Sequence, residues 1–278
     1  IGRNEEKSPV NVQVGIDKSC KDYVGNVYKS MIEQYNTPQQ GIDNWKNHLT
    51  SFRLGKYLGY DLPVGSKGKI PSSKTYNAKY PNNNWYATAT ISNAIGQGEV
   101  LLTPIQMANF TAAIANRGWW VRPHVIKKIQ DHDTIAKGFK HKNKTSIDPK
   151  YFEPIIEGMH DVYRDGTASF LEIPDIEICG KTGTAENFKK INGSVKQLTD
   201  HSVFVAFAPK DNPKIAIAVF VENGYWGARW AGRIASLMIE KYIKGEITRT
   251  DMEAFVLNGS LEEEYNKPYA GKPFKINQ

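Results

Sequence analysis

Gly180-Lys181-Thr182-Gly183-Thr184-Ala185 is the stretch of this 278-residue chain best equipped for chemistry. It follows a strand-like segment, 176–179, and shortly precedes a run that reads as a hairpin. Lys181 would place a fixed positive charge on a strand, and Thr182 and Thr184 would add hydroxyls. Gly183 has no side chain to keep another backbone or a ligand at a distance. Such a strand edge suits an extended peptide that ends in a carboxylate: the backbones pair, and the cation and hydroxyls bind the acid. On these residues alone an ordinary edge strand is an equal reading, because so short a motif recurs by chance.

Other candidates are weaker. Ser66-Lys67-Gly68-Lys69 has the S-x-x-K residue types of an activated serine. Such a serine needs a rigid helix start with its lysine one turn on, and a loop between Gly65 and Gly68 offers neither, so the match reads as coincidence. His201 could serve as a general base, but at the start of a strand it reads as structural. Trp119 and Trp120 read as core or an inter-helix wedge, and Trp226 and Trp230 as packing around a helix start. Cys20 and Cys179 are too few for a disulfide framework and lack a metal-ligand spacing, so neither a metal nor a cofactor is expected.

The elements that must position 180–185 follow from periodicity and punctuation. Val14, Tyr23, Val24, Val27 and Met31 predict helical structure over 12–35, interrupted near Gly25. A second helix is predicted over 43–52. Residues 61–85, with Pro63, Gly65, Gly68, Pro71, Pro81 and Asn82 to Asn84, read as a long loop of the kind that is functional or draped over another element. Thr103, Pro104 and Gln106 mark a capped helix over 103–116, with Ile105, Ala108, Ala112 and Ala115 as its apolar face. A helix over 151–163 would turn Ile155, Ile156, Met159 and Val162 inward. Segments 177–186, 202–208 and 215–221 are predicted as three adjacent antiparallel strands of one sheet. A final helix over 230–243 carries Ile234, Met238 and Tyr242 on one side. Helices followed by a hairpin and a closing helix indicate an α+β layered fold.

Composition narrows the function classes. A hydrophobic share of 40% and an aromatic share of 11% support a sizeable core and exclude wholesale disorder. The formal charge is +7, from 36 Lys and Arg against 29 Asp and Glu. The lysines are scattered rather than gathered in a stripe, so a solvated basic surface fits better than a nucleic-acid partner. No apolar run approaches the ~18 residues of a membrane span.

With context, the 180–185 segment resembles a known signature. Lys181-Thr182-Gly183 matches the KTG triplet of serine β-lactamases and penicillin-binding proteins, whose other signatures, S-x-x-K and then S-x-N, come earlier in the chain. Ser19-Cys20-Lys21, within the run from Ser8-Pro9-Val10-Asn11-Val12 to Tyr28, resembles the S-x-N region of elongation-specific class B penicillin-binding proteins. Ile91-Ser92-Asn93-Ala94-Ile95-Gly96-Gln97-Gly98-Glu99, Leu102-Thr103-Pro104-Ile105-Gln106-Met107-Ala108 and Ala113-Ile114-Ala115-Asn116-Arg117-Gly118 resemble that family more closely still. So does Asp200-His201-Ser202-Val203-Phe204-Val205-Ala206-Phe207-Ala208-Pro209. Leu257-Asn258-Gly259-Ser260 and Gly271-Lys272-Pro273-Phe274 resemble the C-terminus of Bacteroidetes-type members. The chain is identified as a member of the class B penicillin-binding proteins, of the penicillin-binding protein 2 type.

That resemblance implies the serine β-lactamase/transpeptidase-like α+β fold, a central antiparallel sheet with helices on both faces, whose N-terminal nucleophile-bearing portion is missing here. Residues 1–245 would be a partial transpeptidase domain and 246–278 a C-terminal tail. The implied activity is peptidoglycan D,D-transpeptidation through an acyl-enzyme, with β-lactams acting as mimics of the D-Ala-D-Ala terminus. Ser19 would be the proton-relay serine, with its Oγ near Lys181 Nζ, Cys20 turned away and Lys21 swung towards solvent or the space the missing portion vacates. Lys181, Thr182 and Thr184, beside Gly183, would bind the substrate carboxylate, and Thr184 would also give a backbone N–H to the oxyanion hole.

Two departures qualify this. No S-x-x-K precedes Ser19, so the chain alone is expected to give no fluorescent-penicillin adduct; a labelled band surviving denaturation would show the serine misplaced. Lys21 stands where the family has Asn or Asp, a substrate-contacting position. An ammonium there cannot accept a hydrogen bond and would repel a catalytic lysine. A D,D-carboxypeptidase or β-lactamase on the same fold is disfavoured by the 91–118 block, whereas a non-catalytic scaffold would accommodate Lys21. Expected partners are stem peptides and β-lactams and, for the full-length protein, a glycan polymerase and elongation-complex proteins. It would sit on the periplasmic face of the inner membrane through a single-span anchor ahead of this chain.

Overall fold

The computed structural model describes residues 10–127 and 137–265; Ser8, Pro9 and 271–274 of the resemblance lie outside the described residues. The chain divides into two compact units, one built from residues up to Gly15 and 19–155, the other from 16–18 and the residues from Ile156 on.

The first unit is mainly helical. It contains most of α1 (Val12–Asp17), then α2 (Lys21–Glu33), α3 (Pro38–Ser51), α4 (Ser73–Asn77) and α5 (Pro104–Ala115), with a minimal ladder of β1 (Trp119–Trp120) and β2 (Asn143–Lys144). The break predicted at Gly25 falls instead at 18–20, where Ser19 adopts φ +54°, and Gly25 lies inside α2. A helical glycine costs only ~1 kcal/mol, less than a backbone reversal demands. Helix α3 starts ahead of the predicted 43: Thr37 Oγ1 accepts from the Gln40 N–H at 3.3 Å and Pro38 takes the first turn, a start signal as plain as that of α5. The 61–85 loop holds α4, which begins with a capping box at Ser72.

Helix α5 has its predicted capping box, but of its predicted apolar face only Ala115 is buried. Ile105 is 40% exposed, while Gln106, Asn109 and Ala113 are buried. Gln106 Oε1 accepts from the Thr103 N–H at 3.0 Å, and its Nε2 donates to the carbonyls of Lys56 (3.1 Å) and Lys67 (3.0 Å). A buried amide with its partners supplied costs little, and this one pins the Gly/Pro-rich loop onto the helix start. Elsewhere Tyr28, Ile32, Ile42, Tyr76, Trp85 and Ala87 form a core cluster. Tyr28 Oη donates to Thr90 Oγ1 at 3.0 Å, Asn93 Nδ2 donates to Tyr76 Oη at 2.8 Å, and burial pushes the Tyr76 phenol up to about 12.

The second unit takes α6 (Glu153–Arg164) from Ile156 on and then β3 (Cys179–Ile191), β4 (Ser194–Ala208) and β5 (Ile215–Val221), antiparallel in the order β3-β4-β5, as expected. Strands β3 and β4 run further than predicted, past an irregularity between Ala185 and Asn187 to a tip at Asn192-Gly193. Both tip residues have positive φ, +49° and +81°, the two-residue hairpin turn that Asn-Gly favours. A π-helical turn, Ala228–Gly232, leads into α7 (Arg233–Lys244), α8 (Thr250–Asn258) and α9 (Glu262–Tyr265).

Ile156, Met159 and Val162 of α6 are buried, as predicted. On α7, Met238 and Tyr242 share a side, but it is the outer one, 52% and 62% exposed. Ala231, Ala235 and Ile239 face the core with Phe204, Ala206, Ile217 and Leu171. Small side chains let the helix backbone approach the sheet at core packing density, so the alanine stripe goes inward. Glu240 is fully buried on the same helix. It accepts from the Thr248 N–H and hydroxyl at 3.2 and 2.6 Å and from Arg249 Nε at 3.0 Å, while Arg249 Nη1 donates to the Leu171 carbonyl at 3.1 Å. No helix among the described residues is long and apolar enough to cross a membrane.

Candidate active site

Strand β3 holds Lys181, Thr182, Gly183 and Thr184 opposite Val205, Phe204, Val203 and Ser202 of β4. Residues facing each other across an antiparallel pair share a sheet face and neighbours alternate. Lys181 and Gly183 therefore lie on the Val203/Val205 face, and Thr182 and Thr184 on the Ser202/Phe204 face. The core of the second unit is built on this latter face. Strand β3 pairs only with β4 among the described strands and forms an edge of the sheet.

The turn after β5 is seated on this strand. The Gly227 N–H donates to Thr184 Oγ1 at 3.1 Å, and a Cβ on Gly227 would lie 2.5 Å from the Gly183 carbonyl oxygen. Ser202 Oγ donates to the Gly227 carbonyl at 2.8 Å and accepts from the Ala231 N–H at 3.1 Å. The close backbone approach expected at Gly183 is thus made by the chain itself. On the other side of the motif Thr182 Oγ1 meets Thr167 Oγ1 at 3.2 Å.

Lys181 Nζ donates to the Thr182 carbonyl at 3.2 Å. Burial brings its pKa down to about 8, against the opposing field of Asp17. At neutral pH the side chain is still predominantly a cation, held in a poorly solvated place where charge is expressed strongly. Asp17 is 8% exposed and pairs with Lys18 Nζ at 2.8 Å.

The structure brings Lys181, Thr182, Gly183 and Thr184 together on β3, whereas Ser19 and Lys21 belong to the first unit. Ser19 occupies the left-handed joint between α1 and α2, and the Cys20 N–H donates to the Gly15 carbonyl at 2.9 Å. Lys21 opens α2 and is exposed. Ser66 is exposed in coil, its hydroxyl accepting from the Gly68 N–H at 3.2 Å, and Lys69 is engaged by Glu99 at 3.2 Å. His201 Nδ1 accepts from the Asn223 N–H at 3.1 Å, with its ring against Phe220, a structural role. Among the described residues no group of three His, Cys, Asp or Glu side chains could hold a metal. Thr167 and Gly227 were not singled out from the sequence, and Ser202 entered only within the 200–209 resemblance.

The chain is similar to known proteins in sequence and in fold. Residues 2–240 match the family model of the penicillin binding protein transpeptidase domain. Peptidoglycan D,D-transpeptidase MrdA of Acinetobacter baumannii is 35% identical over 223 residues, covering 73% of this chain and 32% of that protein. Penicillin-binding protein 2 of Pseudomonas aeruginosa, solved with WCK 5153, superposes with a TM-score of 0.69 at 28% identity, covering 87% of this chain and 51% of that one. A chain of a peptidoglycan synthase complex that coordinates polymerization and crosslinking superposes with a TM-score of 0.65 at 27% identity, covering 87% of this chain and 38% of that one. The chain thus spans about a third of the curated relative's length and has the α+β transpeptidase fold. With its KTG strand at the sheet edge and a family match running from residue 2 to residue 240, the chain belongs to the penicillin-binding protein transpeptidase family.

Proposed function

We propose that this chain is part of a peptidoglycan D,D-transpeptidase of the penicillin-binding protein 2 type, with residues 1–245 belonging to the transpeptidase domain and 246–278 forming its tail. The observation that carries the reading is the edge strand β3, where a poorly solvated Lys181 cation is followed by the Thr182 and Thr184 hydroxyls. A stem peptide lies along this edge as an added strand, and Lys181 and Thr182 bind its terminal carboxylate through charge-assisted hydrogen bonds. Thr184 offers its backbone N–H to the oxyanion of the tetrahedral intermediate. The serine of the S-x-x-K signature attacks the carbonyl of the penultimate residue, and terminal D-alanine leaves with the proton relayed through Ser19. An amine of a second stem peptide then takes the acyl group from the ester. Lys21 borders the substrate amide, where its ammonium donates and cannot accept. β-Lactams enter the same path and stop at the acyl-enzyme.

The synthase-complex relative supports a glycan polymerase as partner, and the class supports attachment to the periplasmic face of the inner membrane. The test is covalent labelling of the full-length protein by a fluorescent penicillin. Wild type is expected to be labelled, and Ser19→Ala to be labelled on the order of 10² more slowly, the lower end of what a proton-transfer group contributes. A folded full-length protein that takes no label would favour the scaffold reading, and a Ser19→Ala protein labelled at the wild-type rate would remove Ser19 from the relay.

A further inference from the structure

We propose that Glu264, in the C-terminal tail, is a positioning residue for the Lys181-to-Thr184 strand, so that docking of the tail sets the geometry of the carboxylate site. This rests on the functional reading above. Glu264 is fully buried on α9, where its Oε1 accepts from Arg229 Nε at 2.5 Å and from Trp230 Nε1 at 3.1 Å. Both donors belong to the π-helical turn, Ala228–Gly232. The same turn sends the Ala231 N–H to Ser202 Oγ, which holds the Gly227 carbonyl, and the Gly227 N–H holds Thr184 Oγ1. An unbroken run of contacts therefore leads from the tail carboxylate to the hydroxyl of the motif's last threonine.

The turn needs such an anchor. A π turn departs from regular helical hydrogen bonding and is a form found often at functional sites. Helix α8 covers it from outside: Phe255 lies against the Trp230 ring at 5.2 Å, and the Arg233 guanidinium lies 4.3 Å over Phe255. A Cβ on Gly259 would come within 2.3 Å of the Trp230 ring, so the link between α8 and α9 is shaped to that indole. A carboxylate so fully buried is tolerated only where its donors are, which gives the tail one seat. The turn also sends Ala228 and Ala231 into the core below, beside Leu171, Phe204 and Ile239. Glu264 thus acts on the turn and, through it, on β3.

The experiment uses the full-length protein, with Glu264→Ala, Glu264→Gln and Trp230→Phe. Acylation by a fluorescent penicillin is measured against concentration, and hydrogen exchange is followed by peptide. Glu264→Ala is expected to lower acylation efficiency at least about ten-fold, within the loss that a small misplacement of binding groups produces. Exchange should quicken in 180–186 and 224–231 but not in β5. Glu264→Gln, whose Oε1 still accepts from both donors, should stay within about three-fold of wild type. Trp230→Phe keeps an aromatic ring but loses one donor and part of the indole's bulk, and should quicken the same two segments to a smaller degree. Wild-type acylation and exchange in folded Glu264→Ala would overturn the proposal, as would exchange quickened evenly through the unit. Should Glu264→Ala fail to fold, unchanged exchange and acylation in Trp230→Phe overturns it. A wild-type protein that takes no penicillin refutes the functional reading instead, and the exchange pattern still decides the mechanical link.

Discussion

Full-length protein carrying Lys181→Met is expected to be acylated by benzylpenicillin about 10- to 150-fold more slowly than wild type, the equivalent of the ~1.5–3 kcal/mol that a hydrogen bond to a charged group contributes. Methionine keeps the length and apolar body of the side chain, so the change removes the cation with little disturbance to packing. The pH profile gives the same residue a second signature. Burial holds the Lys181 pKa at about 8, so carboxylate binding should weaken as pH rises through about 8. That alkaline limb should be missing from Lys181→Met. The stability of the fold moves the opposite way. Between about 8 and the unfolded value of 10.5 the unfolded chain binds more protons at this site than the folded one, so the Lys181 contribution to stability rises with pH. The charge proposed to bind the carboxylate is thus held against the preference of the fold. An acylation profile flat from pH 7 to 9.5 in wild type would remove Lys181 from carboxylate recognition.

The second large effect is on stability. Glu240→Ala should destabilise the protein by roughly 3–5 kcal/mol, the usual cost of removing one partner from a buried ion pair. It strands the Arg249 guanidinium, 16% exposed, and removes the acceptor of the Thr248 hydroxyl and N–H. Replacing both partners, as Glu240→Met with Arg249→Leu, should cost far less, because no charge is then left without its counterpart. Urea denaturation of the three proteins decides it, and a Glu240→Ala midpoint equal to that of wild type would refute the account. Acid adds a check. Burial raises the Glu240 pKa, but the hydrogen bonds from Thr248 and Arg249 outweigh burial and hold it below its unfolded value of 4.5. Its stabilisation is therefore present above about pH 4.5 and lost as pH falls through the lower folded value.

What the sequence disclosed, and what it withheld, divides by the range of the interactions involved. The three strands were legible because period-2 patterning and a distinctive triplet act locally, and so was the start of α5, where Thr103, Pro104 and Gln106 satisfy one another within a turn. The inward faces of α5 and α7 were not. Ranking residues by hydrophobicity put Ile105 inside and left Gln106 out, yet the carbonyls of Lys56 and Lys67, far away in sequence, make Gln106 the buried one. On α7 the side of Met238 and Tyr242 faces out, and Ala235, Leu237 and Ile239 are the buried ones. The joint at Ser19 was misplaced because glycine is the usual mark of a broken helix, and here a serine takes the positive φ. Of the candidate site, the strand from Lys181 to Thr184 could be read directly. Gly227 and Thr167 reach the motif only through tertiary contacts, with no spacing to announce them.

The irregularity between Ala185 and Asn187 has a practical side. Strand pairing is unforgiving of length, since a slip of one residue moves every side chain to the opposite face. Here the ladder from Cys179 to Ala185 and the ladder from Asn187 to Ile191 keep separate registers, with Glu186 between them. A residue gained or lost near the Asn192-Gly193 tip can be taken up at this joint before it reaches Thr184. The tip is therefore a natural port for grafting: a short epitope or a dye-accepting cysteine placed there should report on the protein in cells while Lys181 and the threonines keep their faces.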